Sequence, residues 1–375
     1  MKIAVNTRLL LPDKIDGIGM FTRETMKIIV QENPEHKFYF LFDRCYDSQY
    51  IFSDNVKPVV IPPPTRHPIL TNTWFHCCLP LVFKRIKPDL FISTDGILSA
   101  NTKVKQLSVI HDLNFEHNPD DLPKVYLKFY KKNIPASVKR AVRVATVSEF
   151  SKQDIAKIYN YDLDKIDVVG NGANEKFVPS VFSERQNIKE KYTDGDEYFV
   201  FVGSMHPRKN LSRLFVAYDE FCSESPRKAK LVVVGRKMWW TSEINNVYNS
   251  MKHKDNVVFT GRVPDDELVL LIGSALASVY VSLFEGFGIP IVESFACNVP
   301  VITSNITSMP EIAGDAAILC DPYSIDSIKN ALITVANNDS LRLSLIEKGI
   351  KRLENYSWEK SAHKLWDCAM KALEE

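Results

Sequence analysis

Two carboxylates, Glu285 and Glu293, flank a short glycine turn in the second half of the chain. The turn holds Gly286 and Gly288 after an apolar run, and it leads to Pro290, which suits the first position of a helix. A strand, a glycine turn and a helix leave unpaired N–H groups at the carboxyl end of a sheet, where they bind anions. The carboxylates suit sugar hydroxyls better than phosphate. Alternatively, Glu293 complements the helix dipole and Glu285 is solvated.

A pair of cations, Arg208 and Lys209, lies just before a helix predicted to begin near Leu211. Asn210 is the expected N-cap of that helix. Cations beside a helix N-terminus are locally unfavourable unless an anion joins them. We therefore predict a diphosphate site at Arg208 and Lys209.

Two features of the first half suit a nucleotide-binding sheet. Gly17 and Gly19 follow a predicted strand at 2–6, where nucleotide folds approach phosphate, although a flexible turn is the alternative. His111 follows an apolar run ending at Ile110, at the carboxyl end of a predicted strand. It is either a ligand contact or a histidine that satisfies loop carbonyls.

These residues carry a family resemblance that extends over nearly the whole chain. Residues 285–293 resemble the E-x7-E signature of retaining GT-B glycosyltransferases of family 4. Residues 203–211, 300–303 and 309–317 also resemble segments of that family.

The resemblance implies an α/β fold, with two Rossmann-like parallel-sheet domains facing each other across a cleft. We predict an N-terminal domain over 1–185, with a C-terminal helix at 357–375 packing back on it. The donor nucleotide-sugar domain would cover 186–356, with a polar linker within 179–196.

The resemblance also assigns roles to individual residues. Arg208 and Lys209 would neutralise the leaving nucleoside diphosphate, Glu285 would hold the sugar hydroxyls, and His111 would contact the donor sugar. Ser204 stands where many relatives carry a basic residue. The remaining donor-binding residues implied are Gly17, Gly19, Gly235, Arg262, Val263, Phe287, Gly288, Ile289 and, for the ribose, Glu293.

The implied reaction moves a hexose, with retention, from GDP-mannose or a UDP-sugar to a glycan or lipid-linked acceptor hydroxyl in surface polysaccharide synthesis. A nucleotide-sugar epimerase of the same fold, acting without an acceptor, is the main alternative. A non-catalytic carbohydrate-binding protein would not need both cations and both carboxylates. Two Asp-x-Asp segments, 162–164 and 194–196, are interpreted as solvated turns, so we predict neither a metal nor a cofactor.

Composition limits the remaining possibilities. At 375 residues two domains are expected, and a net charge of +1 argues against nucleic-acid binding. Residues 1–190 hold 27 basic against 22 acidic residues, and the remainder holds 20 against 24, giving +5 and −4. Seven scattered cysteines and an N-terminus that runs straight into a strand favour a cytoplasmic protein without a signal peptide.

Two segments raise the question of membranes. Residues 268–284 carry no charge, but these 17 residues fall short of a transmembrane helix. Residues 124–140 mix aromatic and basic side chains at helical spacing. A solvated helix face is favoured there, and peripheral contact with an anionic membrane is the alternative.

Overall fold

The computed structural model describes residues 1–11, 15 and 17–375. Over these residues the chain divides into two compact units. The first unit comprises Met1–Asn171 and Trp358–Glu375, and the second comprises Gly172–Ser357. Each unit has its own sheet and its own buried core.

The described residues form thirteen strands, and every strand pair is parallel. This confirms the predicted α/β class with two Rossmann-like sheets. The strands are β1 (Lys2–Asn6), β2 (Lys37–Phe42), β3 (Val56–Val60), β4 (Leu90–Ser93), β5 (Lys105–Ile110), β6 (Arg143–Thr146), β7 (Ile166–Val168), β8 (Tyr198–Val202), β9 (Lys230–Val234), β10 (Val257–Gly261), β11 (Ala277–Tyr280), β12 (Val301–Ser304) and β13 (Ala317–Cys320).

Helices connect the strands, as parallel pairing requires. They are α1 (Gly17–Glu32), α2 (Pro68–Thr73), α3 (Leu79–Ile86), α4 (Asn114–His117), α5 (Lys124–Arg140), α6 (Glu149–Tyr159), α7 (Phe182–Thr193), α8 (Leu211–Glu224), α9 (Ser242–Ser250), α10 (Asp265–Gly273), α11 (Ile289–Ala296), α12 (Met309–Ala313), α13 (Ile325–Asn337), α14 (Asp339–Leu353) and α15 (Trp358–Glu374). A π-helical segment, Trp74–Cys78, joins α2 to α3.

Strand order creates one switch point in each sheet. The first sheet has the order β3-β2-β1-β4-β5-β6-β7, and the second has the order β10-β9-β8-β11-β12-β13. The order therefore reverses between β1 and β4 and between β8 and β11. Open parallel sheets bind ligands beside the carboxyl ends of the strands at such points. The loops that follow β1, β4, β8 and β11 are consequently the places to look for a site.

The final helix, α15, packs within the first unit. Its buried face includes Leu365 and Ala369. Arg143 of β6 pairs with the Glu375 carboxylate at 2.6 Å, and Asp167 of β7 pairs with Lys371 at 2.8 Å. The C-terminal segment thus contacts strands that lie more than 200 positions earlier in the sequence.

The segment 179–196, predicted to hold a polar linker, contains a helix. Residues 182–193 form α7, whose first turn is closed by the Glu184 carboxylate accepting from the Val181 N–H at 2.9 Å. Ile188 is buried in the core of the second unit, to which α7 belongs, and Asp194 ends the helix in a left-handed conformation. The polar composition of this segment therefore belongs to a largely exposed helix, not to an extended linker.

We expect Gly235→Ala to destabilise the second unit by about 2–4 kcal/mol. Gly235 follows β9 at φ +146°, and a β-carbon there would lie 2.0 Å from the carbonyl oxygen of Gly203. Gly261→Ala is the matched control, because its φ is +71° but no atom lies within 4 Å of the added carbon. That control should cost about 1 kcal/mol. If urea unfolding showed that both variants lose the same free energy of unfolding, the steric explanation would be contradicted.

Candidate active site

The loops after β8 and β11 meet at the switch point of the second sheet. The Leu283 N–H donates to the Arg208 carbonyl at 2.8 Å, so the two loops are joined by their backbones. The Asn210 amide adds a second link by donating to the Val281 carbonyl at 3.1 Å. The structure thereby brings the predicted cation pair and the first predicted glutamate to one place.

Glu285 bridges both cations. One carboxylate oxygen lies 2.6 Å from Lys209 Nζ, and the other lies 2.7 Å from Arg208 Nη1. The Lys209 ammonium also donates to the Tyr280 hydroxyl at 2.8 Å and lies over the Tyr280 ring. Lys209 is only 9% exposed and Glu285 only 8%. This is a buried ion cluster whose members depend on one another for charge compensation.

The electrostatics of the cluster favour the ionised carboxylate. Burial alone would raise the pKa of Glu285, but the charges of Lys209 and Arg208 outweigh burial and lower it to about 2. Burial, followed by the charge of Glu285, raises the pKa of Tyr280 well above its ordinary value. At neutral pH the cluster therefore holds two cations, one carboxylate and a neutral phenol, with a net charge of +1.

Two sequence-based interpretations of this loop need correction. The argument that the two cations need an anion did not identify Glu285, which supplies one from within the chain, and the diphosphate site at these cations remains a prediction. Asn210 occupies the expected N-cap position of α8, but its side chain makes no capping bond. Its amide instead donates to the carbonyls of Val281 and Pro322, so it ties loops together.

The glycine turn after Glu285 leads into α11, which begins at Ile289. Gly288 precedes the helix at φ +105°, a conformation that favours glycine. The Ser308 hydroxyl lies within bonding distance of the carbonyls of Glu285 (2.9 Å) and Phe287 (3.0 Å) and fixes the turn. At the start of α11, Pro290 has no N–H, and the Ile291 N–H donates to Gly288 O at 2.9 Å.

Glu293 lies on α11 in a different environment from Glu285. Burial, and secondarily the charge of Asp265 at the start of α10, raises the pKa of Glu293 to about 7. Within the part of the chain that the structure describes, its carboxylate has no hydrogen-bond or ion-pair partner. A hydroxyl donor from a ligand would stabilise the charged form there.

The raised pKa of Glu293 predicts a pH-dependent stability. Between its ordinary value of 4.5 and about 7, the folded protein holds a proton that the unfolded chain has lost. Stability should therefore fall as the pH rises through this window. From about pH 5 to about pH 8 we expect the wild type to lose about 2 kcal/mol relative to Glu293→Gln, which cannot titrate. If urea unfolding showed that the free energy of unfolding depends on pH in the same way in both proteins, the raised pKa of Glu293 would be contradicted.

The other predicted residues of the second unit follow neighbouring strands. The Gly203 N–H donates to Val234 O at 3.0 Å, and the Gly235 N–H donates to Gly261 O at 2.9 Å. These bonds draw together the turns that follow β8, β9 and β10. Ser204 and Arg262 are exposed on these turns, and Val263 is half-buried. Their assignment to the donor remains a prediction.

The predicted residues of the first unit also converge on a carboxyl edge. His111 follows β5, and its Nε2 lies 2.9 Å from the carbonyl of Thr94 after β4. Its ring packs edge-on against Phe21 of α1 at 5.0 Å. Thr22 and Thr94 join the two elements again through their hydroxyls at 2.8 Å. The structure therefore places His111 beside the first turns of α1.

Gly17 and Gly19 lie in that first helical turn, not in a preceding loop. The sequence predicts a helix from about Phe21, but α1 begins at Gly17. Residues 12–14 and 16 of the intervening loop lie outside the described residues. The assignment of Gly17 and Gly19 to donor binding remains a prediction.

Sequence reasoning missed three side chains at the second-unit site. Tyr280 positions Lys209, and Ser308 positions the glycine turn. The local sequence around these two residues gives no sign of either role. The sequence predicts that Trp239 and Trp240 are both packing residues. Trp240 does pack, against Phe259 and its neighbours, but Trp239 is 51% exposed and contacts the ring of His206 at 5.5 Å. Its φ of +69°, unusual for a bulky residue, is visible only in three dimensions.

The Asp-x-Asp segments have structural partners. Asp162 caps a short 3₁₀ turn by accepting from the Asp164 N–H, and Asp194 and Asp196 both pair with Lys230. Residues 1–11, 15 and 17–375 hold no cluster of three His, Cys, Asp or Glu side chains suited to a metal ion. Over the same residues no helix is long and apolar enough to cross a membrane.

Comparisons with known proteins cover both units. The model for Glycosyltransferase Family 4 matches residues 16–177, and that for Glycosyl transferases group 1 matches residues 182–352. O-antigen chain mannosyltransferase B of Escherichia coli is 30% identical over 256 residues, which cover 68% of this chain and 67% of that protein. O-antigen chain mannosyltransferase RfbU of Salmonella typhimurium is 33% identical over 252 residues, which cover 67% of this chain and 64% of that protein.

Among solved structures, sucrose-phosphate synthase from Thermosynechococcus elongatus is similar in fold. The TM-score is 0.78 at 16% identity, with 99% of this chain and 98% of that one covered. At this level of identity the likeness concerns the fold, and it agrees with the predicted GT-B class.

Proposed function

The chain belongs to glycosyltransferase family 4, and from this premise we propose that it transfers mannose from a nucleoside-diphosphate sugar to a hydroxyl of a glycan or lipid-linked glycan. Two relatives named as O-antigen mannosyltransferases support mannose and a surface polysaccharide. GDP-mannose is the donor that we would test first, with UDP-sugars as the alternative.

The observation that carries this proposal is the bridged cluster of Arg208, Lys209 and Glu285 at the switch point of the second sheet. Departure of a nucleoside diphosphate develops negative charge, and preorganised cations stabilise it in a site shielded from water. The cluster keeps a net charge of +1 for this task. A bound diphosphate would take over the two cations and leave the Glu285 carboxylate to accept from sugar hydroxyls.

In the proposed reaction, the acceptor oxygen bonds to the anomeric carbon as the bond from that carbon to the diphosphate oxygen breaks, and the acceptor hydroxyl proton passes to the departing diphosphate. We propose that configuration is retained, as the family resemblance implies. The half-buried Glu293 would accept from the ribose hydroxyls, and the turns at Gly235, Arg262 and Val263 would enclose the base. His111 is kept as a proposed contact to the transferred sugar.

A thermal-shift panel with GDP, UDP, ADP and their mannose or glucose derivatives tests the donor. A ligand that binds only the folded protein raises the melting temperature by mass action. We expect a selective shift with GDP and GDP-mannose that survives EDTA and is lost in Lys209→Ala. A shift that EDTA abolishes would contradict metal-independent binding, and no shift with any nucleotide would contradict the site.

Incubation with the donor alone distinguishes a glycosyltransferase from a nucleotide-sugar epimerase. The transferase should leave the sugar nucleotide unchanged, apart from slow hydrolysis, until a glycan acceptor is added. Accumulation of an epimeric sugar nucleotide without an acceptor would show the chain to be an epimerase.

A further inference from the structure

One tryptophan of the second unit is exposed at the edge of the sheet where the ion cluster lies. Trp239 belongs to the loop 236–241, which follows β9 at its carboxyl end. It is 51% exposed, although tryptophan is on average a highly buried residue. Its indole N–H has no hydrogen-bond partner among the described residues, whereas that of Trp240 donates to Asn245 Oδ1 at 3.2 Å. Packing of the core therefore does not explain Trp239.

The backbone of Trp239 is held in an unfavourable conformation. Its φ of +69° lies in the left-handed region, which a bulky residue rarely adopts. Glycine would adopt the same conformation without strain. Outliers of this kind persist only where the surrounding structure fixes them, and they are concentrated at ligand sites. A tryptophan in this position costs stability, which indicates that its side chain serves a purpose other than folding.

The neighbours of Trp239 hold the loop in place. The Lys237 ammonium lies 4.9 Å from the centroid of the Trp240 ring and 4.3 Å from that of Phe259. The Trp240 and Phe259 rings pack edge to face at 5.7 Å. The Thr241 hydroxyl then caps α9. The exposed position of Trp239 is thus set by the packing of the residues on both sides of it.

A ring contact joins Trp239 to the loop that carries the two cations. The indole meets the imidazole of His206 with the ring centroids 5.5 Å apart and the ring planes at 63°. Nδ1 of His206 accepts from the Arg208 N–H at 3.1 Å, which fixes the imidazole immediately before the cations. Since Trp239 is still half exposed after this contact, much of the indole surface remains available to a ligand.

The loop begins at the turns that we propose to enclose the nucleobase. The Gly203 N–H donates to Val234 O and the Gly235 N–H donates to Gly261 O, so the turns after β8, β9 and β10 adjoin. In a nucleoside diphosphate, the ribose and one phosphate separate the base from the terminal phosphate. An aromatic side chain that lies next to the cations, but not among them, is therefore suited to the base.

We propose that Trp239 stacks against the purine base of the bound nucleoside diphosphate. Every base presents an aromatic face, and stacking on an aromatic side chain contributes to the affinity for nucleotides. The two fused rings of a purine cover more of an indole than the single ring of a pyrimidine does, so this contact favours GDP or ADP over UDP. The inference rests on the proposed function and adds to it the class of base and the residue that selects it.

Titrations with GDP, UDP and inorganic pyrophosphate test the stacking contact. We expect Trp239→Ala to bind GDP at least about tenfold more weakly than the wild type, to bind UDP less than about threefold more weakly, and to bind pyrophosphate equally well. Met238→Ala, which removes a 52% exposed side chain of the same loop, is the matched control and should bind GDP like the wild type. An unchanged affinity of Trp239→Ala for GDP, an equal loss with GDP and UDP, or a loss with pyrophosphate would overturn the proposal.

Trp239→Gly separates stacking from the conformation of the loop. Both Trp239→Gly and Trp239→Ala remove the indole, but only glycine relieves the strain at φ +69°. The glycine variant should therefore unfold at a higher urea concentration than the alanine variant, while both bind GDP equally weakly. If the glycine variant regained the affinity of the wild type, Trp239 would act through the loop conformation and the proposal would be wrong.

The failure of this inference can be told apart from the failure of the proposed function. If the wild type bound no nucleotide, both would be wrong. If the wild type bound GDP in a manner that required Lys209, and Trp239→Ala bound it equally well, only the stacking contact would be wrong. If Trp239→Ala bound GDP normally but GDP-mannose weakly, the indole would contact the sugar, and the assignment to the base would be overturned.

Discussion

A Glu285→Gln variant is expected to bind free nucleoside diphosphate several-fold more tightly than the wild type, yet to transfer sugar roughly 10²-fold more slowly. In the wild type, the Glu285 carboxylate competes with a ligand for the two cations, because its oxygens lie 2.6 Å from Lys209 Nζ and 2.7 Å from Arg208 Nη1. Its removal raises the net charge of the cluster from +1 to +2, which favours a bound anion. The transferred sugar at the same time loses its charged hydrogen-bond acceptor.

The variant should also be less stable by about 3 kcal/mol, because two largely buried cations lose their counter-charge. Calorimetric titration with GDP, initial rates of transfer and urea unfolding give the three quantities. Glu285→Asp keeps the charge on a shorter side chain, so its affinity for diphosphate should stay close to that of the wild type. Weaker binding of GDP by Glu285→Gln than by the wild type would show that Glu285 does not compete with the ligand.

Lys209→Ala is expected to lower kcat/KM by roughly 10²–10³-fold. Lys209 is the more buried of the two cations, and its charge lowers the pKa of Glu285 more than any other group does. Its removal takes away transition-state stabilisation and should also raise the pKa of Glu285 from about 2. The acid limb of the pH–rate profile should therefore move to higher pH, an effect that a general loss of folding would not produce.

Tyr280→Phe separates the charge of Lys209 from its placement. This variant removes the hydroxyl 2.8 Å from Lys209 Nζ but keeps the ring beneath the ammonium and the bond to Glu285. We expect it to lose less than about tenfold in kcat/KM, as for one neutral hydrogen bond. If Tyr280→Phe were as damaging as Lys209→Ala, the role of Lys209 would be structural.

The sheets could be predicted because parallel strands buried on both faces leave continuous apolar runs. Tyr198–Val202 is an example, and the structure has a strand over those residues. The convergence of Arg208 with Glu285 could be anticipated too, since loops after adjacent parallel strands meet at one edge. The adjacency of β8 with β11 is known only from the structure.

Pairwise contacts within the site could not be predicted. Sequence supplied the argument that cations beside a helix need an anion, but it did not show which anion. Glu285 is 76 positions from Lys209, and only the folded chain places them at 2.6 Å. The predictions that Asn210 caps α8 and that Trp239 packs in the interior were wrong. Both residues adopt positive φ values, which redirect their side chains.

The return of α15 to the first unit sets an order of events during synthesis. The buried faces of Trp358, Leu365 and Cys368 belong to a core whose other half lies in residues 1–171. Most of the first unit therefore leaves the ribosome early but lacks a covering helix until residues 358–375 emerge. The second unit is continuous in sequence and can complete its fold first. During synthesis, the first unit can therefore be completed only after the whole of the second unit has been made.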